Sequence, residues 1–260
     1  MDQLQQLQVL LKTYQRVAIA YSGGCDSHFL YSIAVATLGK ENVLAVLCVG
    51  DMMSKKDIEE AKSLLKNGQY EIIDVNVFAE EAFVHNRQDR CYYCKKMIMS
   101  HVIEKAHQHD IPYILDGKNQ DDEKVYRPGI KACQELGILS PLSEVGMTKQ
   151  MIRDYSKQLG ISTYAKPANA CLASRFPYDT ILTKEKLELV DQAEALLHQR
   201  GIQHVRVRVH DKMARIEVEK KEFELLIHDQ KLVDEFETLG FDFVTLDLKG
   251  ITSGSYDRVK

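Results

Sequence analysis

A glycine turn followed by an Asp-Ser pair marks the stretch 18–27, which reads AIAYSGGCDS. Glycine lets the backbone turn sharply and approach a ligand closely, so that successive N–H groups point into one concavity. The positive N-terminal end of a following helix would add to the attraction for an anion. A bare Gly-Gly is also typical of a plain tight turn. The candidate anion-binding residues are Ser22, Gly23, Gly24 and Ser27.

Six cysteines form a second group of reactive side chains. A cytoplasmic protein rarely carries a disulfide framework, so a spaced pair indicates metal binding or catalysis. Cys91 and Cys94 have a normal ligand spacing, but one pair cannot complete a metal site. Cys171 lies beside Arg175, whose guanidinium would lower the pKa of the thiol and hold an anionic substrate. An inert, buried cysteine is the alternative.

Two arginines alternate in the run VRVRVH at 205–210. Side chains alternate along a strand, so Arg206 and Arg208 share one face. Two adjacent guanidinium groups suit a phosphate or a carboxylate. The alternative is an exposed strand face paired with Glu217 and Glu219 of a neighbouring strand.

Strand and helix patterns alternate through the first part of the chain. Apolar strand runs occupy 16–22, 42–50, 70–77 and 113–117, and helical patterns occupy 26–38, 54–67, 94–108 and 147–160. This alternation predicts an α/β fold with a doubly wound parallel sheet. Ligands bind beyond the carboxyl ends of the strands in such sheets, where the glycine turn lies.

The pattern changes after Pro167, which opens an irregular stretch. Helical patterns follow at 183–201, 220–228 and 231–239, and strand patterns at 204–210, 213–219 and 243–248. Two residues separate the first two strands, which predicts a hairpin. We therefore expect a first domain at 1–168 and a smaller α+β domain at 169–260.

Composition excludes several functional classes. The 260 residues carry a net charge of −4, which argues against wholesale electrostatic binding of nucleic acid. No apolar run has membrane-spanning length, and the N-terminus lacks a signal-peptide pattern. The expectation is a cytoplasmic protein with neither nucleic-acid nor membrane partners.

The string SGGCDS resembles the SGGxDS loop of the PP-loop ATP pyrophosphatases. It has neither the lysine of a Walker A loop nor the G-x-G-x-x-G of a dinucleotide fold. The resemblance implies ATP and Mg²⁺ as cofactors and cleavage of ATP to AMP and pyrophosphate. It also implies that Asp26 helps to hold the magnesium–pyrophosphate unit.

Longer strings are similar to those of the LarE family. These strings are DRCYYCKK (89–96), DDEKVYRPG (121–129), NACLASRFPY (169–178), VRVRVHDKMARIEV (205–218) and FVTLDLKGITSG (243–254). LarE enzymes adenylylate the carboxylates of a pyridinium biscarboxylate mononucleotide and convert them to thiocarboxylates for the nickel-pincer cofactor. The resemblance therefore implies a sulfur transferase with a small nucleotide substrate, assembled as a homo-oligomer.

Family resemblance also implies roles for individual residues. Cys171 matches the sacrificial cysteine, whose thioester breaks at Cβ–S to leave dehydroalanine. The resemblance also supports Arg206 and Arg208 as substrate-binding candidates. Position in the sequence adds Arg175, beside the cysteine, and Glu123, after the fourth strand, as catalytic candidates. The further substrate-binding candidates are Arg127, Ser174 and Lys95. For Glu123, a solvated acidic loop is an equal explanation.

Some LarE relatives instead hold a [4Fe–4S] cluster on three cysteines, and Cys91, Cys94 and Cys171 match that pattern. One iron would then carry an extra sulfide for transfer. A zinc site completed by Cys133 or a histidine competes with this interpretation, as do unligated thiols.

Two other functions fit the loop. A PP-loop tRNA thiolase would activate a base carbonyl in the same way, but it should bring a basic RNA-binding surface. A non-catalytic nucleotide-binding module would need the loop without Cys171, Arg175 and the paired arginines.

Overall fold

The computed structural model describes residues 1–65, 68–124, 128–167 and 170–252, with the backbone alone at 123 and 124. The chain divides into two compact units. The first comprises Met1–Gly50, Asp57–Asn76 and Asp89–Asn169, and the second Asp51–Lys56, Val77–Gln88 and Ala170–Lys260. Segments 51–56 and 77–88 lie inside the expected domain 1–168, but their contacts assign them to the second unit.

In the first unit, four strands of the described chain form a parallel sheet. They are β1 (Val17–Tyr21), β2 (Val43–Val49), β3 (Gln69–Asp74) and β4 (Tyr113–Leu115), in the order β3-β2-β1-β4. Val17 lies opposite both Val43 and Tyr113. Because β1 and β2 are buried along most of their length, their sequences are continuous apolar runs.

The helices are divided between the two units, with Glu81–Val84 and the helices after residue 170 in the second. They are α1 (Gln3–Tyr14), α2 (Cys25–Leu38), α3 (Lys55–Leu64), α4 (Glu81–Val84), α5 (Arg90–Gln108), α6 (Pro128–Glu135), α7 (Pro141–Glu144), α8 (Lys149–Gln158), α9 (Lys184–Gln199), α10 (Phe223–Ile227) and α11 (Gln230–Thr238). Among the described helices, none combines the length and the hydropathy of a membrane-spanning segment.

The strand order reverses at β1. The connections through α2 and α3 carry the chain from β1 to β2 and β3, whereas β4 pairs on the other side of β1. Right-handed crossovers in both directions place helices on both faces of the sheet. The predicted doubly wound α/β fold is therefore confirmed, and the crevice at the carboxyl ends of β1 and β4 is its topological switch point.

A separate small sheet lies in the second unit. Its strands, within the described residues, are β5 (Arg206–His210), β6 (Met213–Glu217) and β7 (Phe243–Leu246). β5 and β6 form the predicted antiparallel hairpin, with Asp211 at φ 53° in its turn, a conformation that aspartate tolerates. β7 pairs parallel to β6. The helix α9 packs on β5 and brings Glu194 into the interior.

Candidate functional site

The Ser-Gly-Gly turn connects β1 directly to α2. Gly23 has φ +69°, and a Cβ there would lie 2.5 Å from the Cβ of Ala61, so glycine is required on both grounds. The hydroxyls of Ser22 and Ser27 lie 3.0 Å apart and close the turn. Gly24 is the N-cap of α2 and has no side chain to cover the first N–H groups. This end of the helix therefore stays open to an anion.

Gly23→Ala is expected to destabilise the first unit by more than its backbone strain alone. A positive φ costs an alanine about 1–2 kcal/mol, and the contact with Ala61 adds to that cost. Gly137→Ala is the matched control, because Gly137 also has φ +69° but a Cβ there would meet nothing within 4 Å. Denaturant unfolding of both variants measures the difference. Equal losses would show that the approach of Ala61 to the turn is unimportant.

Asp26, in the first turn of α2, is bound by residues distant in the sequence. Lys149, the first residue of α8, places its Nζ 2.8 Å from both carboxylate oxygens of Asp26. The side-chain amide of Asn119 donates to Asp26 Oδ2 at 3.4 Å. Neither partner has a spacing that sequence patterns could detect. Both are functional candidates that the sequence analysis did not identify.

The end of β4 approaches the same turn. A Cβ on Gly117 would lie 2.9 Å from the backbone nitrogen of Ser27, so only glycine permits this approach. The adjacent Asp116 is buried and accepts hydrogen bonds from Ser140 Oγ at 2.7 Å and from the N–H of Lys118 at 3.1 Å. Asp116 and Gly117, at the end of β4, therefore lie next to the glycine turn that follows β1.

A buried aromatic cluster supports α2 behind the turn. The rings of His28, Tyr21 and Tyr31 all contact one another, and His28 Nδ1 is 2.8 Å from the Tyr21 hydroxyl. Burial, with a smaller contribution from the charge of Lys166, lowers the pKa of His28 to about 4. A neutral imidazole is therefore built into the folded first unit.

His28 should make stability depend on pH. The folded state holds the pKa near 4 and the unfolded state near 6.5, so the unfolded chain takes up the proton first as the pH falls. The contribution of neutral His28 to stability is fully present above about pH 6.5. The free energy of unfolding should therefore fall by about 1–2 kcal/mol between pH 7 and pH 5. Denaturant unfolding of His28→Gln at both values should show a smaller fall. The matched variant His107→Gln, at an exposed position of α5, should keep the wild-type fall.

The C-x-x-C pair lies in the first turn of α5, which begins at Arg90 rather than at the predicted residue 94. Cys91 is exposed, whereas Cys94 and Lys95 are half-buried. Burial raises the pKa of Cys133 to about 12 and that of Cys48 to about 11. In the described chain, no three His, Cys, Asp or Glu side chains are grouped to hold a metal ion.

Two predicted site residues, Glu123 and Arg127, lie partly or wholly outside the described residues. The backbone of Glu123 belongs to the 3₁₀ turn Gln120–Lys124, but its side chain is outside the described part. Arg127 lies outside the described residues altogether. Their roles stay predictions.

In the second unit, Cys171 caps the 3₁₀ turn Leu172–Arg175 and is half-buried. The N–H of Leu172 donates to the carbonyl of Met52 at 3.0 Å. Asn86 is fully buried and donates its side-chain amide to the carbonyls of Phe176 and Pro177. The cysteine segment is therefore held at both ends by the two short segments, 51–56 and 77–88.

Arg175, the last residue of this turn, is buried. Its Nε and Nη2 donate to the two carboxylate oxygens of Glu194 at 2.6 and 3.0 Å. Its Nη1 donates to Ser174 Oγ at 2.9 Å and to the carbonyl of Cys171 at 3.5 Å. Arg175 thus contacts the cysteine through the backbone, and Glu194, which the sequence analysis did not identify, orients the guanidinium.

Arg206 and Arg208 lie together on β5, as predicted, but their face is buried instead of exposed. Arg208 pairs with Glu217 at 3.0 Å and also donates to the carbonyl of Ser174. Arg206 donates to the carbonyl of Thr252 at 2.8 Å. Burial, together with the charges of Arg175 and Arg208, lowers the pKa of Arg206 to about 10. A bound anion would relieve that repulsion.

Comparison with known proteins extends across both units. Residues 3–98 match the family described as NAD synthase. An uncharacterized protein of Synechocystis sp. is 36% identical, covering 99% of this chain and 98% of its own length. The pyridinium-3,5-bisthiocarboxylic acid mononucleotide synthase of Lactiplantibacillus plantarum is 35% identical, covering 94% of this chain and 90% of the synthase. An uncharacterized protein of Methanocaldococcus jannaschii is 27% identical, covering 90% of each chain.

Proposed function

The chain belongs to the LarE family of PP-loop sulfur transferases, and on that premise we propose that it converts a carboxylate of pyridinium-3,5-biscarboxylate mononucleotide into a thiocarboxylate. ATP activates the acid and leaves as AMP and pyrophosphate. The observation that carries the proposal is the Cys171 turn, where a half-buried thiol shares its unit with a buried cluster of arginines. A thiol and an anion site are what a sulfur donor for an anionic acid needs.

Activation comes first. A substrate carboxylate oxygen attacks the α-phosphorus of ATP, the bond to the β-phosphate bridge breaks, and pyrophosphate departs with the magnesium ion. The Gly23–Gly24 turn and the open start of α2 bind the departing phosphates through N–H groups. Asp26 binds the magnesium ion of Mg·ATP.

Sulfur transfer follows at Cys171. Its thiolate attacks the carbonyl carbon of the acyl adenylate, a C–S bond forms, and AMP leaves. Loss of the Cys171 α-proton then breaks the Cβ–S bond, which releases the thiocarboxylate and leaves dehydroalanine. Arg175 positions this residue through its backbone carbonyl.

The substrate phosphate binds at Arg206. This guanidinium is buried beside two further arginines, and its charge is only partly offset by Glu217 and Glu194. An anion held there gains charge-assisted hydrogen bonds in a dry environment. Arg208 supports the site through its pair with Glu217, and Ser174 connects it to the cysteine turn.

A [4Fe–4S] cluster is the second candidate source of sulfur, because the exposed Cys91 and the adjacent Cys94 share one helix turn. The described residues do not fit a preformed cluster, since no group of three ligating side chains occurs among them. The proposed route therefore takes its sulfur from Cys171 itself.

Intact mass after incubation with Mg·ATP and the mononucleotide tests the proposal. Transfer from Cys171 removes about 34 Da from the protein, the mass of H₂S. Thiocarboxylate formation at unchanged protein mass, with iron and sulfide bound, would assign the sulfur to a cluster. Release of pyrophosphate without any thiocarboxylate would contradict the proposal and favour another acceptor, such as a tRNA base. Nucleotide binding without turnover would indicate a non-catalytic module.

A further inference from the structure

A lysine from a distant helix lies at a phosphate loop whose own sequence has none. Lys149 Nζ is 2.8 Å from both oxygens of Asp26, which follows the Gly23–Gly24 turn by two residues. Arg153, one turn further along α8, also acts on the loop, since it and Lys149 oppose the burial that raises the pKa of Cys25. The start of α8 therefore brings positive charge to the place where phosphates are proposed to bind.

The backbone around Lys149 is fixed, so only its side chain has freedom. Its N–H donates to Asp121 Oδ2 at 2.9 Å, and Thr148 caps α8 by accepting from the N–H of Met151 at 3.3 Å. Asn119 connects the two ends of this arrangement, accepting from the N–H of Asp121 at 2.9 Å and donating to Asp26. Hydrogen bonds therefore hold the backbone of Lys149 in place, and its ammonium group reaches Asp26 from that fixed position.

The Lys149–Asp26 pair is accessible to a ligand. The two side chains keep 31% and 22% of their exposure, so solvent reaches both charged groups. Lys166 provides the contrast within the same unit, because it is 12% exposed and lies 3.6 Å from Asp57 and 2.8 Å from Glu60. Lys149 remains reachable by a ligand, whereas Lys166 is enclosed.

From this geometry, and resting on the proposed use of ATP, we propose that Lys149 is a phosphate-binding residue that Asp26 positions before ATP binds. When Mg·ATP binds, its magnesium ion replaces the ammonium group at Asp26. The ammonium group then binds a phosphate oxygen. Each charge exchanges one opposite partner for another, so neither is left without compensation during the change. The lysine missing from the loop is in this way supplied by α8.

Calorimetric titration of Lys149→Gln with Mg·ATP, magnesium pyrophosphate and AMP tests the proposal. Losing a hydrogen bond to a charged group should weaken ATP and pyrophosphate binding about 10- to 100-fold and leave AMP binding nearly unchanged. Lys149→Arg keeps the charge and should retain most of the affinity. Lys157→Gln, an exposed lysine in the last turn of α8, is the matched control and should bind like the wild type.

The same substitution in an Asp26→Asn variant shows whether Lys149 binds phosphate itself or only positions Asp26. In Asp26→Asn, the further change Lys149→Gln should still weaken pyrophosphate binding about 10-fold, because the ammonium contacts the phosphate itself. If Lys149→Gln does not weaken pyrophosphate binding in the Asp26→Asn variant, the proposal is contradicted. Equal losses of affinity for AMP and for pyrophosphate would also contradict it. If the wild type binds no ATP, the proposed function itself fails. If it binds ATP and Lys149→Gln binds equally well, only the role of Lys149 fails.

Discussion

A Cys171→Ala variant is expected to transfer no sulfur while still releasing pyrophosphate from ATP. Alanine has no nucleophile, so the acyl adenylate forms and then meets only water. The loop, Asp26 and Lys149 all belong to the first unit and keep their contacts, since Cys171 lies in the second. Sulfur transfer is measured as thiocarboxylate formed per protein chain, and activation as pyrophosphate released in the presence of the mononucleotide.

Substitutions of two other cysteines serve as controls for the Cys171→Ala result. Cys133→Ala, which removes a buried thiol whose pKa is raised to about 12, should transfer sulfur as the wild type does. Cys91→Ser separates the two sulfur sources, because the sacrificial route does not use that thiol. Thiocarboxylate production by Cys171→Ala would overturn the assignment of the sulfur donor.

Glu194→Ala is expected to cost the second unit about 3–5 kcal/mol of stability, the usual loss when one partner of a buried ion pair is removed. Glu194 is 5% exposed and accepts hydrogen bonds from Arg175 and from the N–H of Val207 at 2.9 Å. Its removal leaves a buried guanidinium and a buried N–H without that acceptor. Denaturant unfolding measures the loss.

Matched variants show whether charge or shape is responsible. Glu194→Gln keeps the shape and one acceptor oxygen but removes the charge, so its stability should lie between those of the wild type and the alanine variant. Glu237→Gln changes an exposed carboxylate on α11 and should alter stability by less than about 0.5 kcal/mol. A loss for Glu194→Ala as small as for Glu237→Gln would show that the ion pair does not stabilise the unit.

The parts of the fold that local sequence determines were predictable. The β1 run, the glycine turn and the start of α2 follow one another within twelve residues, and each has its own signature. Cys91 and Cys94 were placed correctly near a helix start, although the helix begins at Arg90. Apolar periodicity could not give that boundary, because the residues around it are polar or aromatic.

The contacts between distant residues were not predictable from one sequence. Lys149 and Asp26 are 123 positions apart, and Glu194 appears in the sequence as an ordinary acidic residue of a helix. Alternation did predict that Arg206 and Arg208 share a face. It could not show that this face is buried, because arginine is usually found at the surface.

The two short excursions of the chain, at 51–56 and 77–88, limit how the protein can be dissected. A gene fragment starting at residue 170 would encode the cysteine turn and the hairpin but would lack the carbonyl of Met52 and the amide of Asn86. A fragment made by one cut therefore loses the hydrogen bonds that hold the segment around Cys171. Modular exchange between relatives has to carry all three pieces together.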